Sequence, residues 1–564
     1  MIGFGLRGAM TGRYAVGGAA GLLLALSFPK VSVAGLAWIA PAIMLGAALG
    51  RGGWERFRIG YVAGLFFYLA QLYWLLLIPF RWHGIPVGPA AGWLALSAYM
   101  ALYPAIWVWM LSGMVAKVRP REDGGKEPTA GFMGKVPGAS LMTGWLGRTG
   151  VALYAGVSWV ALEMIIARLF TGFPWDLLGV SQYQMLPLIQ VASVTGVYGV
   201  SFLVVWVSVS LLMAGLVMVA RPAGKALWVT EIALPVLALA LIFNHGFRQL
   251  QAESGRFSRT LKVAMVQPSI PQTLIWDSTR NIERFREVIR ISEAAMTNKP
   301  DLLIWPESAV PSLFRGDQEI YEAITGLARK HAVWMIIGAD DFAPRANPEK
   351  GREVDYFNAS FLISPDGHVA ETYRKRSLVI FGEYVPLERW VPFMKFLTPI
   401  DGGFTPGDRS TPFVMDSLGV VTSALICFED IFTNLSREGA QPDTDFLVNL
   451  TNDGWFGESA APWQHAATAV FRTVENRIPL LRCSNNGLTC WVDERGRIRE
   501  VFRDAKGSEY GAGFMISEVP LLGPDELREP TIYHRHGDRF GWVCVLLTVI
   551  WLPFKLRPVG GSDK

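Results

Sequence analysis

Seven apolar runs crowd the first 250 residues of this chain, at approximately 14–28, 31–50, 57–80, 88–116, 150–170, 196–220 and 228–247. A helix that crosses a bilayer needs about 20 apolar residues, and most of these runs approach or exceed that, the first being short. An eighth run, Phe540 to Phe554, is of marginal length. Such a pattern restricts the N-terminal half to a polytopic α-helical membrane domain of about eight spans, counting the C-terminal one. The 51% hydrophobic content, the 21 Trp and the positive mean hydropathy follow from these runs better than from one very large core. Trp and Tyr residues in and around the runs suit interfacial belts.

Arg7 and Arg13 before the first run resemble a signal peptide, but membrane-length segments follow at once, so the run reads as a retained first span. Arg51, Arg56 and Arg58 lie between spans two and three. Lys117, Arg119, Arg121, Lys126, Lys135 and Arg148 lie between four and five, and Arg221 and Lys225 between six and seven. The alternate loops carry little beyond Lys30, Arg81 and Arg168. The positive-inside rule then puts both termini in the cytoplasm, in agreement with Lys555, Arg557 and Lys564, and residues 248–539 on the opposite side. The expected organisation is a seven-span domain over 1–247, a water-soluble domain over 248–539, and an eighth span with a short tail over 540–564. Pro120–Gly138, rich in Gly, Pro and Lys, reads as a flexible cytoplasmic loop.

Glu163 and Arg168 fall in or at the end of the fifth run, where ionisable groups are costly unless paired or facing a polar cavity. Thr171-Gly172-Phe173-Pro174-Trp175 follows as a helix breaker flanked by aromatics. Two readings stand: an anchoring turn with a structural ion pair, or a wall of a lipid-binding groove.

From Leu261 the texture is that of an α/β domain. Short apolar runs at Val263–Val266, Leu302–Ile304, Trp334–Ile337, Phe361–Ile363, Val420–Ile426 and Phe446–Leu450 read as strands, alternating with helices such as Arg280–Met296 and Gln318–His331. Pro365-Asp366-Gly367 marks a tight turn. The 52 basic and 48 acidic residues nearly balance and form no basic block, so a nucleic-acid partner is not expected. Four cysteines in so long a chain make no disulfide framework.

Three residues at strand ends carry the chemistry. Cys427 closes the buried run Val420–Ile426, Glu307 follows Leu303-Ile304-Trp305-Pro306, and Lys375 stands in Tyr373-Arg374-Lys375-Arg376. A thiolate is the competent nucleophile, and a free thiol near pKa 8.5 is mostly protonated at neutral pH. A neighbouring carboxylate can take its proton. A nearby ammonium favours the thiolate and can hold the oxyanion of a tetrahedral intermediate. Each residue alone is weak evidence, since a lone Glu or Lys is usually a solvated surface charge.

These positions sit in longer motifs: Trp305-Pro306-Glu307-Ser308, Tyr373-Arg374-Lys375, Phe381-Gly382-Glu383-Tyr384-Val385-Pro386, Ile426-Cys427-Phe428-Glu429, Asn452-Asp453-Gly454-Trp455-Phe456-Gly457 with Gln464-His465, and Arg482-Cys483-Ser484-Asn485-Asn486-Gly487. Together with Thr171–Trp175 they resemble the carbon–nitrogen hydrolase (nitrilase) superfamily, and within it the apolipoprotein N-acyltransferases, its integral-membrane branch. The resemblance covers essentially the whole chain. It implies a nitrilase-like α-β-β-α sandwich carried by about eight spans. It assigns Glu307 as general base, Lys375 as thiolate and oxyanion stabiliser, and Cys427 as nucleophile. Glu383 would orient Lys375 and assist the proton relay, and Glu429 matches a position of less certain role. Trp276 would lie on a loop at the mouth of the site, and with Tyr384, Phe428 and Trp455 would contact substrate.

The implied reaction is a ping-pong transfer. Cys427 takes a fatty acyl chain from a phospholipid as a thioester, and the α-amine of the diacylglyceryl-cysteine at the N-terminus of an apolipoprotein receives it. The implied setting is the bacterial inner membrane, with the catalytic domain on the periplasmic side. No metal or nucleotide motif appears, and this chemistry needs no cofactor. The same triad would serve a membrane-tethered amidase or acyl hydrolase in which water resolves the thioester. An inert domain on a transporter or lipid-binding scaffold is disfavoured by the full set of three residues. Two departures stand out: Phe428 where many members carry Tyr, and Ile380 where Pro is frequent. If Asn486-Gly487 forms a two-residue hairpin turn, Cys483 and Cys490 lie directly opposite each other, and an oxidising compartment would permit a disulfide, although cross-strand geometry is often unfavourable.

Overall fold

The computed structural model describes residues 2–79, 87–115, 144–220, 227–251, 257–275, 277–349, 352–386, 403–523 and 526–556. The loop Pro120–Gly138, most of the basic residues used above for orientation, and Trp276 lie outside the described residues. The chain divides into two compact units. One holds Met1–Tyr73, Gly92–Gln249 and His536–Lys564, and the other Trp74–Ala91 and Leu250–Arg535.

The first unit is helical. Among the described residues four helices are long and apolar enough to cross a bilayer: Gly88–Ser112, Trp145–Ile166, Val197–Val219 and Val229–Gln251. The remaining apolar runs fold less simply. Run 31–50 breaks into a 3-10 turn at Ala34–Trp38 and a nine-residue helix, Ala40–Ala48, restarted by Pro41 in its first turn. Run 57–80 ends its helix at Gln71 (Gly53–Gln71) and continues as a 3-10 turn, Tyr73–Leu77. The first and last runs lie on helices Ile2–Ala25 and Arg539–Leu556.

Small residues set the helix spacing. A Cβ on Gly60 would stand 2.9 Å from Ala105 Cα, and one on Gly64 the same distance from Ala101 Cα. This four-residue glycine spacing lets two backbones approach closely where burial of apolar surface offers little drive between helices. Helix Trp145–Ile166 is pinned by a buried ion pair, Arg148 to Glu231, at 2.6 Å. Glu163 and Arg168 do not pair with each other, against one expectation above. Glu163 accepts from Trp159 Nε1 at 3.0 Å and from Leu178 N at 2.8 Å, and Arg168 bonds Asp538. The breaker after them turns through left-handed backbone at Phe170, Thr171 and Gly172, with Phe173 N returning to Ile166 O at 2.9 Å.

Among the described residues the second unit holds twelve strands: β1 (Phe257–Gln267), β2 (Leu302–Ile304), β3 (Trp334–Glu349), β4 (Arg352–Ile363), β5 (Val369–Arg374), β6 (Pro412–Met415), β7 (Val420–Ile426), β8 (Phe446–Thr451), β9 (Leu480–Ser484), β10 (Cys490–Val492), β11 (Ile498–Val501) and β12 (Gly513–Leu522). They form two six-stranded sheets, ordered β12-β1-β2-β3-β4-β5 and β11-β10-β9-β8-β7-β6. Alternation along the strands sends one face of each sheet inward. Val263, Met265, Ile304, Ile336 and Leu362 thus meet Phe413, Ala424, Ile426, Val448 and Leu450 in a shared core. The opposite face of the first sheet, including Ala264, Leu303, Met335 and Phe361, packs on Val288 and Ile291 of helix Asn281–Met296 and Ile324 and Leu327 of helix Gln318–His331. Helix Thr433–Gly439 lies on β7, close enough that a Cβ on Gly439 would stand 3.1 Å from Ser423 Cβ, with helix Ala461–Asn476 beside it. The layering is helix, sheet, sheet, helix.

The expected turn at Pro365–Gly367 joins β4 to β5, with Gly367 at φ +81° and its N–H on Ser364 O. Cys483 and Cys490 do not lie directly opposite each other. Cys490 stands opposite Arg482, one register position from Cys483, and both thiols are free. A shift of one residue sends a side chain to the other face of the sheet. Cys483 accordingly points at Val266 O and Ile304 O between the sheets.

Candidate active site

The parallel strands β2 and β7 and the antiparallel β5 deliver the three singled-out residues at their C-terminal ends. Glu307 lies three residues past β2, its backbone tight against β3. A Cβ on Gly338 would stand 2.4 Å from Pro306 O and 2.7 Å from Glu307 Cα, so only glycine fits there. Lys375 is the residue after β5, its N–H bonded to Asn358 O at 2.8 Å. Both side chains are buried, Lys375 to 1% exposure.

Lys375 Nζ donates to Glu383 Oε1 at 2.9 Å and to Glu307 Oε1 at 3.3 Å. Asn358 Nδ2 donates to the same two oxygens, at 2.8 Å each. Val379 N holds the other Glu383 oxygen at 2.8 Å. One ammonium and one amide thus bind two carboxylates in a buried pocket. Burial alone would push the ammonium down, but Glu383 and Glu307 outweigh it and hold Lys375 firmly charged.

Cys427 begins a 3-10 turn, Cys427–Ile431, directly after β7. Its φ of +55° is left-handed, a strained setting for a non-glycine residue and one that such turns keep only when their surroundings enforce it. Asn449 Nδ2 grips its carbonyl at 2.7 Å. The residue is half-buried and feels the charges of Glu307, Lys375 and Glu383. Burial and then Glu307 push the thiol up, and Lys375 offsets them only in part.

Glu429 has no free acceptor left. Its Oε1 receives Arg376 N at 2.7 Å and Ser377 N at 3.0 Å, and its Oε2 receives Ile426 N at 2.8 Å and Tyr373 Oη at 2.9 Å. It ties the chain after Lys375 to the residue before Cys427. The Phe428 ring stands 5.5 Å from Lys375 Nζ and packs edge-on against Phe432 at 5.3 Å. Tyr384 is half-buried next to Glu383, its backbone bridged to Ile380. Trp455 lies in the 3-10 turn Asp453–Phe456, whose Phe456 packs on Trp74 at 4.5 Å, while Trp74 Nε1 bonds Gln464 at 3.0 Å.

Sequence reasoning missed several residues. Asn358 sits inside β4, where an isolated polar residue gives no signal; its register opposite Asp340 marks it only once the sheet is formed. The Asp340 carboxyl is pushed up to about 7 by burial and then by Glu307 and Glu383, although part of the residue reaches solvent. Behind Cys427, Asn449 Oδ1 accepts from Arg482 Nη1 at 3.1 Å, and Arg482 also binds Asp430 at 3.0 Å and Asp453 at 2.9 Å. Arg482 Nη2 lies 2.7 Å from His465 Nδ1. His465 Nδ1 also lies 3.2 Å from Asp453 Oδ1, and its Nε2 lies 2.6 Å from Asp430 Oδ1. The motifs Gln464-His465 and Arg482-Cys483 pointed at this network without revealing its purpose.

The family model for carbon-nitrogen hydrolases matches residues 262–521, and the model for the N-terminal domain of apolipoprotein N-acyltransferases matches 20–210. An apolipoprotein N-acyltransferase of Geobacter metallireducens is 36% identical over 529 residues, covering 93% of this chain and 92% of its own length. Those of Rickettsia prowazekii (31% over 397 residues, 70% and 73% covered) and Vibrio vulnificus (27% over 542 residues, 94% and 95% covered) are also similar. With both parts of the architecture matched and a relative aligned almost end to end, the chain belongs to the apolipoprotein N-acyltransferase family.

Proposed function

We propose that this chain transfers a fatty acyl group from a phospholipid, through a thioester on Cys427, to the α-amine of the diacylglyceryl-cysteine at the N-terminus of an apolipoprotein. The observation that carries this reading is the Lys375 ammonium shared between Glu307 and Glu383 beside a strained cysteine.

The steps use the three groups gathered in the pocket. Glu307 takes the thiol proton as the sulfur attacks the ester carbonyl, so the thiolate need never accumulate. Lys375 holds the oxyanion. Collapse expels the lysophospholipid, whose oxygen recovers the proton from Glu307, and leaves the thioester. The acceptor amine then attacks, Glu307 takes its proton and returns it to the departing sulfur, and an amide remains. Glu383 and Asn358 keep Lys375 and Glu307 in place, and Glu429 keeps the Lys375 and Cys427 segments in register. Trp276, Tyr384, Phe428 and Trp455 are assigned to the substrate walls.

The setting belongs to the same reading. The chain sits in a bacterial inner membrane with residues 248–539 on the periplasmic side, between a seven-span region over 1–247 and an eighth span over 540–564. The helices Ile2–Ala25, Gly53–Gln71 and Arg539–Leu556 supply apolar lengths toward that count.

Intact-mass analysis of the full chain after incubation with phospholipid alone tests the proposal. An added acyl group mapped to Cys427, absent in Cys427→Ala, is expected. An adduct on any other residue would overturn the assignment.

A further inference from the structure

We propose that the helical unit holds a second binding site, for a primary ammonium group, built on Asp176 and Glu163. These residues line a narrow, partly open cleft whose interior, about 20 Å³, takes a group the size of a water molecule or an ammonium head. Its walls are largely aromatic: Phe28, Phe67, Tyr68, Tyr103, Trp159 and Trp175. Among the described residues no lysine or arginine lines it.

Asp176 is 5% exposed, and neither of its carboxylate oxygens has a hydrogen-bond donor. Glu163, 4% exposed, commits one oxygen to Trp159 and Leu178 and has the Ser201 hydroxyl beside its carboxylate, while its Oε2 lacks a donor. A buried carboxylate without donors is strongly unfavourable, so it either binds a proton or takes its donors from a bound cation, and a cation that brings N–H groups competes directly with that proton. Three open acceptor atoms match the three N–H donors of an alkylammonium ion. Aromatic faces attract the same cation through their quadrupoles. A quaternary ammonium would satisfy the aromatic walls but none of the oxygens. The protein therefore selects for N–H groups rather than for positive charge alone. The ammonium belongs either to a lipid headgroup or to a free amine. The site stands apart from the thioester reading, and Cys427→Ala should leave it intact.

The full chain, as Cys427→Ala to prevent turnover, is released from nanodiscs of equimolar phosphatidylethanolamine and phosphatidylcholine and weighed with its retained lipids by native mass spectrometry. Preferential retention of phosphatidylethanolamine, lost in Asp176→Asn, supports a headgroup occupant. A Tm increase with ethylammonium but not tetramethylammonium at equal ionic strength, again lost in Asp176→Asn and without lipid selectivity, supports a free amine. Should Asp176→Asn fail to fold, the N-methylated series of phosphatidylethanolamine decides on the unsubstituted site: retention should fall about tenfold for each N–H removed. A flat series, equal effects of the two free cations with no lipid selectivity, or an Asp176→Asn that binds as before would overturn the proposal and leave a cleft filled by water.

Discussion

Glu429 and Asp176 are both sequestered carboxyls, and they are opposites. Glu429 receives four donors, three from backbone amides and one from Tyr373. Asp176 receives none. The same contrast separates the two units: Glu307, Glu383, Asp430 and Asp453 are each bound by named donors, whereas the cleft of the helical unit leaves three acceptor atoms open. A buried acid whose bonds are complete is a clamp. One whose bonds are open is a socket, because the missing donors must come from elsewhere.

The contrast can be broken or sharpened by substitution. The largest effect is expected at Lys375, the donor on which two acids depend. Lys375→Ala should lower the rates of both thioester formation and amine transfer by about 10³-fold or more, since each passes through an oxyanion. Slowing of the second step alone, seen in single-turnover kinetics, would show that another group holds the first oxyanion. Next comes Glu429→Gln, in which an amide nitrogen faces donors it cannot accept from. A stability loss of about 2–4 kcal/mol is expected, read as a fall in Tm.

Asp176→Asn should move the other way. Removing a charge that nothing in the protein satisfies should leave the amine-free Tm unchanged or raise it, by about 1 kcal/mol in stability. A large destabilisation would mean that Asp176 is a clamp after all. An effect that depends on pH is expected at Asp340, whose carboxyl binds its proton more tightly folded (about 7) than unfolded (3.8). Its contribution is fully present below about pH 4 and is lost as pH rises through 7. Asp340→Asn should therefore melt higher than the parent above pH 7, with the difference closing below pH 4.

Much of the architecture was legible in the chain. β2, β7 and helix Gln318–His331 coincide with the apolar runs and amphipathic stretch that announced them, because a strand buried on both faces must be apolar throughout. β9 and β10 were legible only through the Asn486-Gly487 turn between them, because Arg482 and Ser484 interrupt the apolar pattern of β9, and β11, amphipathic and short, escaped notice. Their register is what separated Cys490 from Cys483. The runs 31–50 and 57–80 looked like simple spans, yet each changes to or from 3-10 geometry where local packing prevails over helix continuity.

The order of residues by itself determined where strands end and which reactive groups stand at those ends, since periodicity and composition are local properties. Only the tertiary structure decided which donors each buried acid receives. Lys375 meets Glu307 across 68 positions, and Glu429 meets Tyr373 across 56. Those distances depend on how sheets register and helices pack, and it is there that one carboxyl becomes part of a catalytic pocket, another a clamp, and a third an open acceptor.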